Sequence, residues 1–273
     1  MTGEQVLPWH SEPWRHVSAA LEAGRLPHAL LISGPEGLGK SRFADRLAKR
    51  LLCGQPDASG DACNTCRACH LVDTGAHPDL LAVRPDGQGK MIRIDAIRAL
   101  AAKSTLAAEA GTYRVAILQP ADAMNRSAAN ALLKTLEEPA ARTVLLLVSS
   151  HPDRLLPTIR SRCQQVRFGM PPADTVMPWL DRRLTERGDD LADLLALTGG
   201  APLAVLRAHE EGWLEIAAGL LDGLSDLRAR KSNPMAVVEN WTQWPIRQVL
   251  TGLQRCLMDL LRVRQGGDNP TLY

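Results

Sequence analysis

The sequence predicts an α/β domain built on a parallel sheet, followed by an all-helical C-terminal part. An apolar strand at residues 29–32 runs through a glycine-rich turn into an amphipathic helix. Apolar strand segments then alternate with helical patterns, which is typical of βαβ units and a buried parallel sheet. These later segments lie at residues 80–83, 114–118, 144–149 and 165–168. Beyond Gly169 no strand pattern recurs, so the rest of the chain is predicted to be helical.

The turn after the first strand matches the phosphate-loop pattern G-x-x-x-x-G-K-[ST] without a substitution. Its residues are Gly34, Pro35, Glu36, Gly37, Leu38, Gly39, Lys40 and Ser41. Glycines let successive backbone N–H groups face one anion, and the positive end of the helix dipole adds to the attraction. In this pattern the lysine reaches the β- and γ-phosphates and the serine hydroxyl binds Mg²⁺. The sequence therefore predicts a site for ATP or ADP with Mg²⁺.

Length and composition fit a water-soluble protein of two or three domains. The chain has 273 residues, with 32 Lys and Arg against 30 Asp and Glu, for a net charge of +2. A net charge this close to zero does not indicate nucleic-acid binding by the chain as a whole, so any DNA contact would have to be made by a local basic patch. The longest apolar run, residues 144–148, is too short to span a bilayer, and the N-terminus has no signal-peptide pattern. We expect a cytoplasmic protein with no membrane partner.

Four of the six cysteines are close together, directly after the phosphate-loop helix. Cys53, Cys63, Cys66 and Cys69 form the spacing C-x9-C-x2-C-x2-C. Four thiolates at about 2.3 Å satisfy tetrahedral Zn²⁺ without His70, and they leave no open position for catalysis. The segment between them is rich in turn residues and poor in apolar ones, so a metal would have to hold it together. We expect a structural zinc site at residues 53–69.

The C-terminal part is predicted to contain five helices, at residues 174–187, 190–198, 202–210, 213–228 and 235–264. In the last of them, four leucines recur at helical spacing, which predicts a face for bundle packing. These are Leu250, Leu253, Leu257 and Leu261. Cys256 in the same helix and Cys163 before it are expected to be buried packing residues.

Three further stretches carry a resemblance to a known family. They are RLPHALLISGPEGLGKS, which contains the phosphate loop, NALLKTLEEP at residues 130–139, and Ser161-Arg162-Cys163. With the four-cysteine insertion, their order and spacing resemble the AAA+ clamp-loader subunits of bacterial DNA polymerase III. The likeness is closer to the delta-prime branch than to the ATP-hydrolysing gamma/tau branch.

The resemblance implies a domain plan and a set of partners. A P-loop AAA+ domain would span 1–168, a three-helix lid 169–210, and an all-α collar-type region 211–273 that is either reduced or truncated. The partners would be gamma/tau and delta subunits in a hetero-oligomeric ring, and, through that ring, the sliding clamp and primed DNA. Such a subunit helps load the clamp and is part of a DNA-directed DNA polymerase holoenzyme, without polymerase activity of its own.

The chain departs from the hydrolysing relatives at the positions that cleave ATP. There the third buried strand ends in Asp-Glu, which hold Mg²⁺ and polarise water; here the residues are Gln119 and Pro120. Neither can replace a carboxylate as hard-cation ligand or base. Asp122 is three residues further on, and we expect its carboxylate to point elsewhere. Pro202 stands where the lid of active relatives carries a nucleotide-sensing arginine.

The resemblance also assigns two further roles. Ser149 or Ser150 would be the polar sensor after the fourth strand, and Arg162 would be an arginine finger that acts in a neighbouring subunit's ATP site. The favoured hypothesis is therefore a largely non-hydrolysing scaffold subunit that supplies Arg162 in trans. Two alternatives remain at this point: a hydrolysing motor like gamma/tau, supported by the intact Lys40, and a zinc module that binds DNA directly. The second is disfavoured by the few basic and aromatic residues around the cysteines.

Overall fold

The structure is a computed structural model that describes residues 6–57, 59–87, 89–104, 113–184 and 191–264. The chain divides into two compact units, Met1–Met170 and Pro171–Tyr273. The first unit contains the whole sheet, with strands β1 (Ala29–Ser33), β2 (Leu80–Val83), β3 (Arg114–Leu118), β4 (Thr143–Ser149) and β5 (Gln164–Arg167). Their order in the sheet is β2-β3-β4-β1-β5, and every pairing is parallel. The predicted parallel α/β domain is thus confirmed.

The described residues of the first unit form six α-helices. They are α1 (Ser11–Glu22), α2 (Lys40–Leu52), α3 (Arg67–Asp73), α4 (Ile94–Ser104), α5 (Arg126–Glu137) and α6 (Pro157–Arg160). Three short 3₁₀ helices join them, at Pro8–His10, Ala121–Ala123 and Pro152–Arg154. The Asn125 side chain accepts a hydrogen bond from the Ala128 N–H and caps the start of α5.

The three central strands of the sheet, β3, β4 and β1, are buried on both faces. On one face, α4 and α5 pack against alternate strand residues, with Leu132 and Leu136 of α5 in the core. The apolar stripe of α2, which contains Phe43 and Leu47, is also fully or almost fully buried, and α2 contacts β1, β3 and β4. Helices are therefore present where a βαβ arrangement needs them.

The strand register decides which residues meet at the carboxyl edge of the sheet. Ser33 at the end of β1 is level with Ser149 at the end of β4, and Leu118 at the end of β3 pairs with Leu147. Because all strands are parallel, the segments that follow β1, β3 and β4 leave the sheet at the same edge. The phosphate loop, Gln119 and the residues after Ser149 are brought together in this way.

In the second unit, every regular element among residues 171–184 and 191–264 is a helix, as predicted. Its helices are α7 (Ala173–Asp181), α8 (Leu191–Leu197), α9 (Pro202–Glu210), α10 (Trp213–Arg228), α11 (Pro234–Trp241) and α12 (Ile246–Arg264). The prediction of a helix at 174–187 is too long, because α7 ends at Asp181 and residues 182–184 are not helical; residues 185–187 lie outside the described residues. Among the described residues no single helix has the length and apolar character to cross a bilayer, and the bent pair α8–α9 meets that test only when the two are taken together.

Two predictions for the last helix are wrong. The single helix at 235–264 is two, because Pro245 lacks an N–H and disfavours helical geometry at the residue before it. Three leucines of the predicted face are not packed within this chain, since Leu250, Leu257 and Leu261 are 60%, 62% and 51% exposed, whereas the fourth, Leu253, packs against the core around Leu220 and Trp241. The face that packs in this unit is formed by smaller residues at the same spacing, Val249, Gly252 and Cys256.

The segment before α1 packs against the phosphate loop. The Trp9 indole N–H and the His10 Nε2–H both donate to the backbone carbonyl of Leu38, at 2.9 and 2.8 Å. The His10 ring lies edge-on to Phe43 and Phe168. Burial lowers the pKa of His10 to about 4 against the weaker raising effect of the Leu38 hydrogen bond, so the ring is neutral at pH 7. The carbonyl only accepts, which places the proton on Nε2.

We predict that His10 makes the protein lose stability on mild acidification. Its pKa is about 4 when folded and about 6.5 when unfolded, so the unfolded chain binds more protons in this window and stability falls as pH falls. Between pH 7 and pH 5 the loss from this group is about 2 kcal/mol. The measurement is urea unfolding of the wild type and of His10→Gln at both pH values. The variant, which keeps a donor for Leu38 but cannot titrate, should lose about 2 kcal/mol less; equal losses in both proteins would contradict the assignment.

Candidate functional site

The phosphate loop occupies a space that admits no side chain at its first glycine. Gly34 has φ +147°, and a Cβ there would lie 2.3 Å from the backbone carbonyl oxygen of Phe168. Gly39, directly before α2, has φ +77°, the left-handed region that glycine tolerates. Leu38 between them is fully buried. The loop is therefore fixed by packing beneath it and by backbone geometry at the start of α2.

Lys40 lies at the first position of α2 and is 6% exposed. Its Nζ donates to the Pro35 carbonyl at 2.6 Å, across the loop. Burial lowers the pKa of Lys40, while the carboxylates of Glu36 and Asp122 act in the opposite direction. An ammonium group has three donors, so two remain for phosphate oxygens when one is used by Pro35.

The Ser41 hydroxyl, which would bind Mg²⁺, is instead contacted by an amide. Gln119, the residue after β3, donates its side-chain N–H to Ser41 Oγ. The other end of this amide, Gln119 Oε1, is buried and has no hydrogen-bond partner among the described residues. Pro120 follows and is exposed. The two positions that carry carboxylates in hydrolysing relatives therefore offer one neutral amide oxygen and no acid or base.

Asp122 does not point away from the site, so this expectation from the sequence is wrong. It lies in the 3₁₀ helix Ala121–Ala123, where it accepts a hydrogen bond from the Ser149 hydroxyl and is close enough to Lys40 to affect its pKa. The short helix turns the side chain back towards the end of β4. Ser149 is buried at the strand end, and its Oγ also accepts from the His151 N–H at 3.1 Å. Ser150 follows outside the strand and is partly exposed.

These residues fit a polyphosphate group better than they fit its cleavage. The glycine loop, the start of α2 and Lys40 are the elements that hold phosphate. The metal position is a poor fit, because its serine is bonded to Gln119 and the carboxylate of Asp122 is bonded to Ser149. Within the described residues, no carboxylate follows β3 directly, where one would bind the metal and orient water.

The four predicted cysteines come together in one cluster. Cys53 follows α2, Cys66 precedes α3 and Cys69 lies in α3. Their sulfur atoms, with that of Cys63, all lie within 4.8 Å of one another. The shorter separations are 3.5 Å for Cys53–Cys63, 3.9 Å for Cys53–Cys66 and 3.9 Å for Cys63–Cys69. A tetrahedral ion with metal–sulfur bonds of about 2.3 Å requires sulfur separations of about 3.8 Å, so the cluster fits zinc.

The cluster has chemistry suited to a metal and is joined firmly to α2. Hydrogen bonds from the Thr65 backbone and side chain lower the pKa of Cys63 to about 6, which favours its thiolate, whereas burial raises the pKa of Cys53 and of Cys69. Two ion pairs then connect the segment to α2. Arg46 contacts Asp61 at 2.6 Å, and Lys49 contacts Asp73 at 2.7 Å.

Arg162 lies at the surface just after α6, with 36% of its side chain exposed. Its Nη2 is 2.7 Å from Oε1 of Glu137, the last residue of α5, and its Nη1 donates to the Thr158 carbonyl at 3.0 Å. The adjacent Cys163 is buried, and burial raises its pKa to about 11, which fits packing rather than nucleophilic chemistry. Pro202 is buried at the first position of α9, where a proline suits the start of a helix.

The sequence did not reveal four of these contacts: Gln119–Ser41, Asp122–Ser149, Glu137–Arg162, and the hold of Trp9 and His10 on Leu38. Each joins residues that are far apart along the chain, and the contacts of Trp9 and His10 end on the backbone carbonyl of Leu38. The sequence signal was indirect, since Gln119 and Ser149 were recognised only by their positions at the ends of predicted strands.

Known proteins resemble this chain along most of its length. Residues 9–172 match the family described as "DNA polymerase III, delta subunit". The DNA polymerase III subunit delta' of Pseudomonas aeruginosa is 41% identical over 88% of this chain and 73% of that protein. That of Escherichia coli is 38% identical over 76% of this chain and 62% of that protein. A gamma/tau subunit from Mycobacterium tuberculosis is 34% identical over 71% of this chain and 34% of that protein. The chain therefore belongs to the delta-prime family of DNA polymerase III subunits.

Proposed function

We propose that this chain acts in the cytoplasm as the delta-prime-type subunit of a clamp loader and helps to place the sliding clamp on primed DNA. In this assembly it holds phosphate without hydrolysing ATP at a significant rate, and it supplies Arg162 to a neighbouring ATPase subunit of the gamma/tau type. A delta-type subunit completes the ring. Helices α7–α9 serve as the lid, and α10–α12, which share a core around Leu220 and Trp241, serve as the collar-type region.

The observation that carries the proposal is the contact of Gln119 with Ser41. Phosphoryl transfer depends on positioned charge, above all a metal ion and an oriented water. Gln119 presents an amide to the metal-binding serine, and Pro120 has no group that could orient water. The buried Lys40 nevertheless remains available for phosphate. The site thus keeps the residues that bind phosphate and lacks those that hydrolyse ATP.

The position of Arg162 supports a role in a neighbour's site. It is a partly exposed arginine two residues after a short helix, and its contacts are the surface ion pair with Glu137 and a hydrogen bond to the Thr158 carbonyl. A guanidinium group stays charged at every physiological pH and offers five donors in a plane, which suits the charge that develops on a γ-phosphate.

We also propose that the cysteine cluster binds one structural zinc ion. The four sulfur positions fit a tetrahedron, and the segment that carries them has a small core, formed by Cys53, Ala62 and Cys69 with the other two cysteines against it. The metal would hold this segment in a fixed shape at the end of α2.

A second candidate is a hydrolysing motor like gamma/tau. One observation favours it: the Asp122 carboxylate lies within electrostatic reach of Lys40. Its hydrogen bond from Ser149 and its position three residues beyond Gln119 count against a direct metal ligand. Turnover by the isolated chain separates the two candidates.

The first prediction of the proposed function concerns Arg162 in the assembled loader. Arg162→Ala should leave this subunit folded, because exposed ion pairs contribute about 1 kcal/mol or less. At the adjacent ATP site the rate should fall by about 10³-fold or more, as for arginine fingers in other nucleotidases. The measurement is clamp- and DNA-stimulated ATPase activity of the reconstituted complex. Arg160→Ala, an exposed arginine two residues away, is the control and should leave the rate unchanged. An unchanged rate with Arg162→Ala would refute the proposal.

The second prediction separates binding from turnover. The isolated subunit should bind a fluorescent ATP analogue, and Lys40→Ala should weaken this binding at least about tenfold, because the phosphates lose a buried cation. Lys90→Ala, which removes an exposed lysine, is the matched control. ATP turnover should then be followed on the same wild-type sample. A kcat of about 1 s⁻¹ or more, as in ordinary enzymes, would support the motor instead.

The third prediction concerns the metal. The purified protein should contain one zinc ion per chain by elemental analysis, and Cys63→Ser should lose it, since a serine hydroxyl does not replace a thiolate in such a site. The loss should also increase hydrogen exchange at residues 53–73, because the metal holds this segment. Cys163→Ala removes a buried cysteine outside the cluster and should retain the zinc. Full zinc content in Cys63→Ser would show that the four cysteines do not form the site.

A further inference from the structure

Arg162 is held in one orientation by two acceptors from different parts of the chain. Glu137 Oε1 lies 2.7 Å from Nη2, and the Thr158 carbonyl accepts from Nη1 at 3.0 Å. Glu137 is the last residue of α5, whereas Thr158 is in α6. The guanidinium therefore bridges two helices.

Helix stability does not account for an acidic residue at position 137. The carboxyl end of a helix carries partial negative charge, so a glutamate there is unfavourable in isolation. The pair with Arg162 is half-exposed, with 50% of the Glu137 side chain and 36% of the Arg162 side chain accessible. Pairs of this kind contribute little to the stability of a fold. The main effect of the contact is on the orientation of Arg162.

The Glu137 carboxylate is carried by a helix that is firmly packed in the core. Leu132 and Leu136 of α5 are 0% and 2% exposed in the core beneath the sheet, and Leu136 directly precedes Glu137. The end of α5 is thus fixed relative to the strands that carry the phosphate loop. A group held on such an element positions its partner more accurately than a group on a free loop.

The contact leaves most of the finger available. An arginine side chain has five N–H donors, of which Glu137 and Thr158 take two, so three remain for phosphate oxygens. A free arginine loses much rotamer entropy when it is ordered, and a side chain that is already held loses less. The arrangement lowers the entropic cost of bringing the guanidinium to a γ-phosphate.

We propose that Glu137 is a positioning residue for Arg162, which it orients for entry into the neighbouring subunit's ATP site. This inference rests on the proposed role of Arg162 in trans. Glu137 contacts no phosphate itself and acts through the guanidinium alone. Glutamine at this position keeps an acceptor oxygen at nearly the same place, whereas alanine removes it.

The experiment is a double-mutant cycle in the reconstituted loader, with ATPase kcat and KM as readouts. Glu137→Ala should lower kcat about five- to tenfold with KM for ATP unchanged, because the finger acts on charge that develops during transfer. Glu137→Gln should restore at least half of the activity. In an Arg162→Ala background, Glu137→Ala should cause no further loss. Glu138→Ala, which removes the adjacent exposed glutamate, is the matched control and should behave as wild type.

The outcomes separate the two claims. If Arg162→Ala lowers the rate and Glu137→Ala does not, the positioning role is wrong and the finger stands. A higher rate in Glu137→Ala would show that the pair restrains the finger, and would overturn the proposal as well. If Arg162→Ala has no effect, both claims fail. Circular dichroism melts and gel filtration of each complex show whether a variant folds and assembles, and an additional loss in the double variant would indicate a structural role for Glu137.

Discussion

The parallel register of β1 with β4, and of β4 with β3, is the constraint on which the site depends. It sets Ser33 level with Ser149 and brings the residue after β3 to the same edge of the sheet. Side chains alternate along a strand, so a shift of one residue would exchange the two faces and separate these groups. The contacts of Gln119 with Ser41, and of Asp122 with Ser149, exist because the register holds. Burial of the strands on both faces makes that register costly to change.

At this edge the electrostatics favour an anion without providing for its cleavage. Lys40 is buried at the start of α2, where the helix dipole also attracts negative charge. Burial lowers the pKa of Lys40, and the carboxylates of Glu36 and Asp122 act in the opposite direction. The neutral amide of Gln119 contacts Ser41, the serine predicted to bind a metal ion. Such a site suits the role proposed above, in which this subunit holds phosphate and supplies the partly exposed Arg162 to a neighbour.

The sequence was sufficient to predict those features that depend on a local pattern of neighbouring residues. Strands β2 and β3 were placed with their observed bounds because they are apolar runs between turn signals, and the phosphate loop and the four cysteines have diagnostic spacings. It failed where an outcome depends on contacts between distant segments. The direction of Asp122 is set by a single 3₁₀ turn, and the packed face of α12 is formed by Val249, Leu253 and Cys256 rather than by the other three leucines of the predicted face. The ion pair of Arg162 with Glu137 joins two residues whose relation only the packed helices reveal.

The close approach of Gly34 to the carbonyl of Phe168 has an evolutionary consequence. The glycine is required there by the end of β5, whatever the loop binds, because a Cβ would lie 2.3 Å from that oxygen. A lineage that gave up nucleotides altogether would still be selected to keep this glycine, for packing alone. Conservation of the first glycine in related sequences would therefore say little about whether the loop binds a nucleotide. Conservation of Lys40 would say more, because no packing requirement explains a buried lysine at this position.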